Sequence, residues 1–524
     1  MSDRQPSRPT HPLTTPLADV AEWLVQAGHD VRVRGVADLT GITLSSQRVQ
    51  PGDLYAALPG ARSHGMDYLT VALEAGAVAV LTDAAGAEAA PDDVPLLVVE
   101  RPRELLGRLA ARLYADPARS MRMIGVTGTQ GKTTTTRLAE AGLQAIGVAS
   151  AVIGTVGTRI AGEDVKTTLT TPEAPDLHGL FAVMRERGVE ACAMEVSSHA
   201  LVMGRVDGVV FDVAVFLNLG RDHLDFHADV EDYYQAKASL FTSDHARLAL
   251  INIDDEHGRR LAAETTLPVR TFSTHGADAD WTVYDVAATE TGSSFSVRGP
   301  GYGPSALEQA HAHVSLPGAF NVENALAAIA ACGEAGFAAG HVAESLDRAL
   351  VPGRMEPVAV GQAFSVVVDY AHKPDAVEAA IAALRPIADS AGGRVIVVIG
   401  AGGERDTGKR PIMGEIAARL ADVLIVTDDN PRGEDPALIR AAVLAGVGDG
   451  AAEVLEIGDR RTAIVRAVDL ARESDVVLIA GKGHEAGQEV AGVVHEFDDR
   501  IVVREALHAR LDRETRAQGP GSQA

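Results

Sequence analysis

Short apolar runs recur along the chain, and most stop at a glycine-rich or charged loop before an amphipathic, alanine-rich stretch begins. Strand-length apolar runs alternating with helix-length patterns predict βα units and a largely parallel sheet. LYAAL (54–58), AVAVLT (77–82) and PLLVVE (95–100) predict strands of a small α/β unit, and ELLGRLAARLY (104–114) predicts a connecting helix. Apolar strands follow at 121–127, 191–195 and 209–217, each ending in a polar loop. A further periodic series, SVVVDYAH (365–372), RVIVVIGAGGERDTGKRP (394–411), DVLIVTDDNPRGEDP (422–436) and DVVLIAGKGHE (475–485), predicts a doubly wound sheet with its carboxyl-end loops converging on a ligand. The fold class is therefore α/β, with a disordered arm over 1–15, a small α/β domain over 16–117, a central domain with a mostly parallel sheet over 118–350, a Rossmann-like domain over 351–512 and a disordered tail over 513–524. A length of 524 residues agrees with three domains.

Composition narrows the function classes. A formal net charge of −25 leaves no global basic field for a phosphate backbone, so nucleic acid is not an expected partner. Cys192 and Cys332 are the only cysteines, which excludes a disulfide framework or a cysteine zinc site. The proline-rich amino terminus lacks the apolar core of a signal peptide, and no uncharged apolar run is long enough to span a bilayer. No membrane insertion, a cytoplasmic location and a monomer are expected.

The run MRMIGVTGTQGKTTTTR (121–137) carries the strongest chemistry. A strand feeds a glycine turn that ends in Lys-Thr-Thr and opens a helix, which is the grammar of a phosphate loop in a shortened GxxGKT form. Gly128 and Gly131 allow close backbone approach, and helix-terminal amides face a polyphosphate. Lys132 would neutralise the β and γ phosphates and Thr133 would ligate Mg²⁺. Thr129, Gln130 and Thr134 complete the candidate nucleotide loop.

Other loops leave alternatives open. Thr170 and Thr171 in LTTPE (169–173) suit an ST-turn. Glu195 ends an apolar strand, and a buried carboxylate beside a phosphate loop calls for a metal because an unpaired buried charge is costly. Ser198 with His199 is a poor nucleophile and base pair, since strand neighbours face opposite ways and no GxSxG elbow is present. His223 and His227 are four apart, so on a helix they would share a face as in a zinc site, although no HExxH glutamate accompanies them. Lys237 lies in a helical stretch (231–241) where a lysine is ordinarily solvated, and Asn321 and Asn324 open an alanine-rich helix where capping is the ordinary role. Arg405, Lys409, Arg410 and Arg432 face Asp406, Asp429, Glu434 and Glu485 in the carboxyl-terminal loops, a mixture suited to a zwitterion such as an amino acid. The glycine spacing of GAGGERD does not fit a dinucleotide site.

Taken in order, TGTQGKTTT, LTTPE, MEVSSHAL, NLGRDHLDFH, the Lys237 helix, LPGAFNVENALAA, VPGRME, DYAHKP, GGERDTGKRP, DNPR and GKGHE resemble the motifs of the Mur ligases of peptidoglycan synthesis, between residues 40 and 500. The resemblance implies a uridine-binding first domain, a P-loop ATPase-like central domain and a ligase that uses ATP and Mg²⁺. It implies that Lys132 and Thr133 hold the phosphates and a first Mg²⁺ with Glu195, and that His223 joins a second. Lys237 would be the family's carbamylated lysine, turned from a cation into a metal-facing, carboxylate-like group. Asn321 would contact adenine, and Arg354 and Asp369 would contact ATP. Thr170, Thr171, Ser197 and Arg205 would hold the UDP-sugar peptide, with Ser46 near the uridine.

Asp429, Asn430, Pro431 and Arg432 resemble the signature of the members that add meso-diaminopimelate to UDP-N-acetylmuramoyl-L-alanyl-D-glutamate, and Arg405, Gly481 and Glu485 would complete that amine site. An arginine fork suits the second carboxylate that distinguishes diaminopimelate from lysine. The implied reaction phosphorylates the D-glutamyl γ-carboxylate and lets the amine attack the acyl phosphate. The chain departs from the family pattern at Gln130, at Ser46 with Gln47 and Arg48, at Gly220 and at Met203, which cannot donate a hydrogen bond. Rival readings are a lysine-adding ligase, opposed by DNPR, a folylpolyglutamate-type ligase, opposed by the amino-terminal domain, and a nucleotide-binding regulatory module, opposed by the presence of Lys132, Glu195 and Lys237.

Overall fold

Alternate residues of one apolar strand fall into different cores, and this explains why the strands read as continuous apolar runs. Val395, Val397 and Ile399 belong to one buried cluster, whereas Ile396 and Val398 belong to another, so their sheet is covered on both faces. The computed structural model describes residues 7–60, 63–167, 169–223, 226–289, 292–300, 309–448 and 452–518. The chain divides into two compact units, one of Met1–Val283, Val297–Ala310 and Asn324–Ser345, the other of Tyr284–Ser296, His311–Glu323 and Leu346–Ala524.

The first unit holds two large sheets and, among its described residues, a short antiparallel pair of Thr15–Pro16 with Asp38–Leu39. Strands Arg32–Arg34, Leu96–Val98, Ala79–Thr82, Asp53–Ala56 and Gly41–Thr43 lie side by side in that order, all parallel except the first. Residues 7–11, inside the expected disordered arm, are held by acceptors that need donors: Arg8 pairs with the buried Asp53 at 2.7 Å, and the amides of Thr10 and His11 donate to Glu186. In the second sheet Ser150–Gly154, Ala191–Glu195, Arg122–Thr127, Val213–Phe216, Ala249–Asn252 and Val269–Ser273 are consecutive parallel neighbours. Register does the positioning. Glu195 sits opposite Val126, and Phe216 opposite Thr127, so the phosphate loop, Glu195 and the Asn218 loop leave the sheet at the same edge.

The second unit carries Glu356–Pro357, Ser365–Asp369, Val476–Ala480, Val395–Ile399, Val423–Val426 and Glu453–Glu456 in that order, parallel after the first strand. Asp369 lies opposite Ala480, and Ile399 opposite Val426, which brings the loops after Asp369, Ile399, Val426 and Ala480 to one edge. A hairpin of Gly487–Val490 and Val493–Glu496 was not legible in the hydrophobic pattern, because its first strand is half-buried and its second exposed, with no buried face. The final helix Asp499–Gln518 continues past the expected start of the tail at 513. The α/β class with mostly parallel sheets is as the sequence pattern leads one to expect. Among the described residues no helix is long and apolar enough to cross a membrane.

Candidate active site

The phosphate loop is built from a strand that ends at Thr127 and a helix, Lys132–Ala145, capped by Gly131. Gly131 has φ 87°, and a Cβ there would collide with the Asn324 side chain, so both the backbone conformation and the space require glycine. Asn218 fixes the loop from the neighbouring strand: its Oδ1 accepts the amides of Thr129 (3.1 Å) and Gln130 (3.0 Å). Two ammonium groups converge on one carbonyl. Lys132 Nζ donates to Gly128 O at 2.7 Å and Lys237 Nζ to the same oxygen at 2.9 Å, with Lys237 buried and 4.5 Å above the Tyr233 ring. Two cationic side chains beside the helix-terminal amides give the loop the positive character that a polyphosphate site uses.

Glu195 is 1% exposed, and its carboxylate is aimed by one residue. Thr155 gives its amide to Oε1 at 2.8 Å and its hydroxyl to Oε2 at 3.1 Å. A Cβ at Gly154 would strike that carboxylate, so the preceding glycine is the space it occupies. Thr155 Oγ1 also meets Thr170 Oγ1 at 3.0 Å, while Thr171 Oγ1 donates to the Glu195 carbonyl at 2.8 Å and accepts the Ser197 amide at 3.2 Å. Thr170, Thr171 and Ser197 are thus gathered beside Glu195. Ser197 also caps a helix through the Ala200 amide at 3.2 Å. Arg205 pairs with Glu173 at 2.8 Å and donates to the Thr171 carbonyl at 3.2 Å and to Met203 Sδ at 3.3 Å, so Met203 serves as an acceptor here.

The zinc pairing of His223 with His227 is corrected by the backbone. His223 has φ 53°, outside the helical region, and the helix that follows begins only at Val230, so the two imidazoles do not share a helical face. His223 lies 3.2 Å from Asp222, with its ring edge-on to His199. His227 is buried, 3.0 Å from Ser198 Oγ on one side and 3.0 Å from Asp232 on the other. That chain resembles a hydrolytic triad in outline, but Ser198 is itself buried, and the contacts tie the segment after Glu195 to the helix bearing Lys237. Sequence reading missed Thr155, Asn218 and Asp232 as partners.

Among the described residues no group of three or more His, Cys, Asp or Glu side chains could hold a metal. Mg²⁺ in nucleotide sites takes one or two carboxylates together with phosphate oxygens and water. The Thr133 hydroxyl and the Glu195 carboxylate are oxygen donors of that class. Cys192 and Cys332 are buried and unpaired, and burial raises both thiols well above their ordinary range. Ser46 opens the single turn Ser46–Arg48, in which Arg48 pairs with Asp176 at 2.9 Å. A separate cavity of about 850 Å³ lies among Arg122, Glu190 and Asp212, at the opposite ends of the strands from these motifs.

The second unit gathers most of the residues expected for the amine. Lys482 is fully buried and uses all three donors, on Asn430 Oδ1 (3.0 Å), Glu485 (3.2 Å) and the Gly487 carbonyl (2.6 Å). Asn430 Nδ2 donates to the same Glu485 carboxylate at 2.8 Å, which locks the DNPR and GKGHE loops together. Behind them the buried Arg460 grips Asp499 with two bonds of 2.8 and 2.7 Å and donates to the carbonyls of Ala480 and Asp428, the residues before Gly481 and Asp429. Gly481 adjoins Asp429, since a Cβ there would lie 2.6 Å from its carboxylate. Arg432 donates to Gly403 O at 2.7 Å, whereas Arg405 is exposed on the 400–408 loop. Asp369 accepts the amides of Met355 (2.7 Å) and Ala371 (2.8 Å); burial raises its pKa, opposed by the Arg354 charge. Arg354 stacks 4.3 Å from the Tyr370 ring. Asn321 does not cap its helix, which begins at Ala319; its Nδ2 donates to Pro317 O at 2.8 Å.

A phosphate loop with converging lysines, carried in one chain with a doubly wound unit whose loops interlock lysine, amide and carboxylate side chains, is an arrangement that suits a nucleotide-dependent ligase. The chain belongs to the Mur ligase family: the family's catalytic domain matches residues 38–114, its middle domain 126–332 and its glutamate ligase domain 353–483. A relative from Streptomyces avermitilis, named UDP-N-acetylmuramoyl-L-alanyl-D-glutamate–2,6-diaminopimelate ligase, is 52% identical over 511 residues, 96% of this chain and 98% of that protein. One from Corynebacterium glutamicum with the same name is 48% identical over 492 residues, 91% of this chain and 93% of that protein. A solved structure titled with that name superposes with a TM-score of 0.65 at 32% identity, covering 90% of this chain and 95% of the other.

Proposed function

We infer that this chain is an ATP-dependent ligase that joins meso-diaminopimelate to the D-glutamyl γ-carboxylate of UDP-N-acetylmuramoyl-L-alanyl-D-glutamate, a cytoplasmic step of peptidoglycan precursor synthesis carried out by a monomer. The observation that carries the reading is the interlock of Asn430, Lys482 and Glu485, which fixes the backbone of Asp429, Asn430, Pro431 and Arg432. Relatives named for this activity cover nearly the whole chain and support it.

In this reading the amides of residues 128–134 and Lys132 bind the triphosphate, and Thr133, Glu195, His223 and Lys237, once carbamylated, would hold Mg²⁺. The metal, when bound, supplies charge neutralisation at the transferring phosphoryl group. Thr155 holds the Glu195 carboxylate in place, so the site does not reorganise as charge develops. Asn321, Arg354 and Asp369 contact ATP, while Thr170, Thr171, Ser197, Arg205 and Ser46 hold the UDP-linked dipeptide. A γ-carboxylate oxygen takes the phosphoryl group, giving an acyl phosphate and ADP. The diaminopimelate amine then attacks the acyl carbon, loses a proton, and the tetrahedral intermediate expels phosphate to leave the amide. Arg432 and Arg405 read the distal carboxylate, and Asp429, Asn430, Gly481 and Glu485 hold the remaining polar groups.

The test is phosphate release by the purified chain with ATP, Mg²⁺ and the UDP-linked dipeptide, comparing meso-diaminopimelate, L-lysine and no amine. Turnover with diaminopimelate alone is the expected result. Preference for lysine would overturn the amine assignment, and equal turnover without amine would overturn the ligase.

A further inference from the structure

The hairpin Gly487–Val490 and Val493–Glu496 is unclaimed by the reading above, yet it is fastened to the DNPR loop almost residue by residue. Gln488 Nε2 donates to the Asp429 carbonyl at 2.7 Å, and the Glu489 amide donates to Asn430 Oδ1 at 3.0 Å. The Arg432 amide donates to Glu489 O at 3.0 Å, the Ala491 amide returns to Arg432 O at 2.6 Å, and Val490 and Arg432 form a parallel bridge. These bonds hold Arg432 at φ 54°, a left-handed conformation that is unfavourable for a non-glycine residue and needs such support. The same hairpin carries a carboxylate to the arginine it positions. Glu489 Oε2 lies 3.5 Å from Arg432 Nε, while Arg432 Nη1 is engaged by the Gly403 carbonyl at 2.7 Å.

A guanidinium pairs most strongly with a carboxylate through two parallel N–H bonds. With Nη1 on a main-chain carbonyl and Nε facing Glu489, an arriving carboxylate meets an arginine whose charge is already partly satisfied. We propose that Glu489 is an internal stand-in for the distal carboxylate of the amine substrate, occupying Arg432 until diaminopimelate displaces it, and so is a specificity-determining residue for this ligase. The inference rests on the reading of Arg432 as the reader of that carboxylate. Its consequence is asymmetric. Diaminopimelate brings a distal carboxylate that replaces the one it displaces, whereas lysine has none at that end and leaves the Arg432 and Glu489 pair intact. Both side chains are partly exposed, so the competition is modest and acts on KM, not on the chemical step.

The experiment measures kcat and KM for meso-diaminopimelate and for L-lysine in the full chain, its Glu489→Gln and Arg432→Ala variants and the double variant. Glu489→Gln is expected to lower KM for diaminopimelate about two- to fivefold with kcat unchanged and no matching fall for lysine. The effect should vanish in the Arg432→Ala background. If Arg432→Ala loses diaminopimelate preference but Glu489→Gln leaves KM unchanged or raises it, the stand-in role is overturned while the reading of Arg432 stands. If Arg432→Ala keeps its preference, both are overturned. Should Glu489→Gln lower the unfolding midpoint, Glu489→Asp, which keeps the charge but shortens its reach, is the second variant: a lowered KM supports the proposal and an unchanged one overturns it.

Discussion

Replacing Arg460 by methionine removes one partner of an ion pair in which both side chains are completely buried, at 2.7 Å. Asp499 would be left without the two bonds it receives at 2.8 and 2.7 Å, and breaking a buried pair from one side costs about 3–5 kcal/mol. The carbonyls of Ala480 and Asp428 also lose a charged donor, so the loops that begin at Gly481 and Asp429 lose their rear anchor. Urea unfolding followed by circular dichroism should show the loss, and the double variant Arg460→Met with Asp499→Leu should recover a large part of it, because apolar replacement of a whole buried pair is often neutral. Arg460→Lys, which keeps the charge but not the fork, should raise KM for diaminopimelate about tenfold through the loosened loops. A single variant within about 1 kcal/mol of the parent, or a double variant as unstable as the single, would refute the reasoning.

Thr155→Val deletes the hydroxyl that donates to Glu195 at 3.1 Å; a hydrogen bond to a charged group is worth about 1.5–3 kcal/mol, so activity should fall at least tenfold at fixed subsaturating Mg²⁺, read as a higher half-saturating Mg²⁺ concentration for phosphate release. Asn218→Ala frees the amides of Thr129 and Gln130, and KM for ATP should rise about tenfold in steady-state kinetics with a smaller change in the diaminopimelate KM. His178 gives a pH signature: burial holds its imidazole down at about 4, with one ring nitrogen 3.0 Å from the Asp207 carbonyl. Because the folded-state value lies below the unfolded one, its contribution is full above pH 6.5 and is lost as pH falls from 6.5 towards 4, by up to about 3 kcal/mol. His178→Gln should flatten the acid limb of a plot of unfolding midpoint against pH, and an unchanged slope would exclude His178 as its source.

What the sequence discloses and what it hides divide along sequence distance. The phosphate loop is legible because strand, glycine turn, Lys132 and helix are contiguous, and local geometry alone dictates their use. Glu195 is legible because a carboxylate at the end of an apolar strand demands a partner. The partner itself is not: Thr155 lies 40 residues away, and only the sheet register brings it there. The same holds for Asn218 on the Thr129 amide, for Arg460 on Asp499 and for Lys482 on Asn430. His223 and His227 mislead because a spacing of four signals a shared face only on a helix, and the backbone at His223 is left-handed. The 487–496 hairpin is hidden for another reason. Its strands are uniformly half-buried or uniformly exposed, so burial leaves no alternation in the sequence to read.

The most direct measurement follows oxygen. With the D-glutamyl γ-carboxylate of the UDP-linked dipeptide labelled with ¹⁸O, the released phosphate analysed by mass spectrometry in the presence of ATP, Mg²⁺ and meso-diaminopimelate should carry one labelled oxygen per turnover. Unlabelled phosphate formed alongside the amide product would mean that the carboxylate never accepts the phosphoryl group, and would contradict the account at its centre.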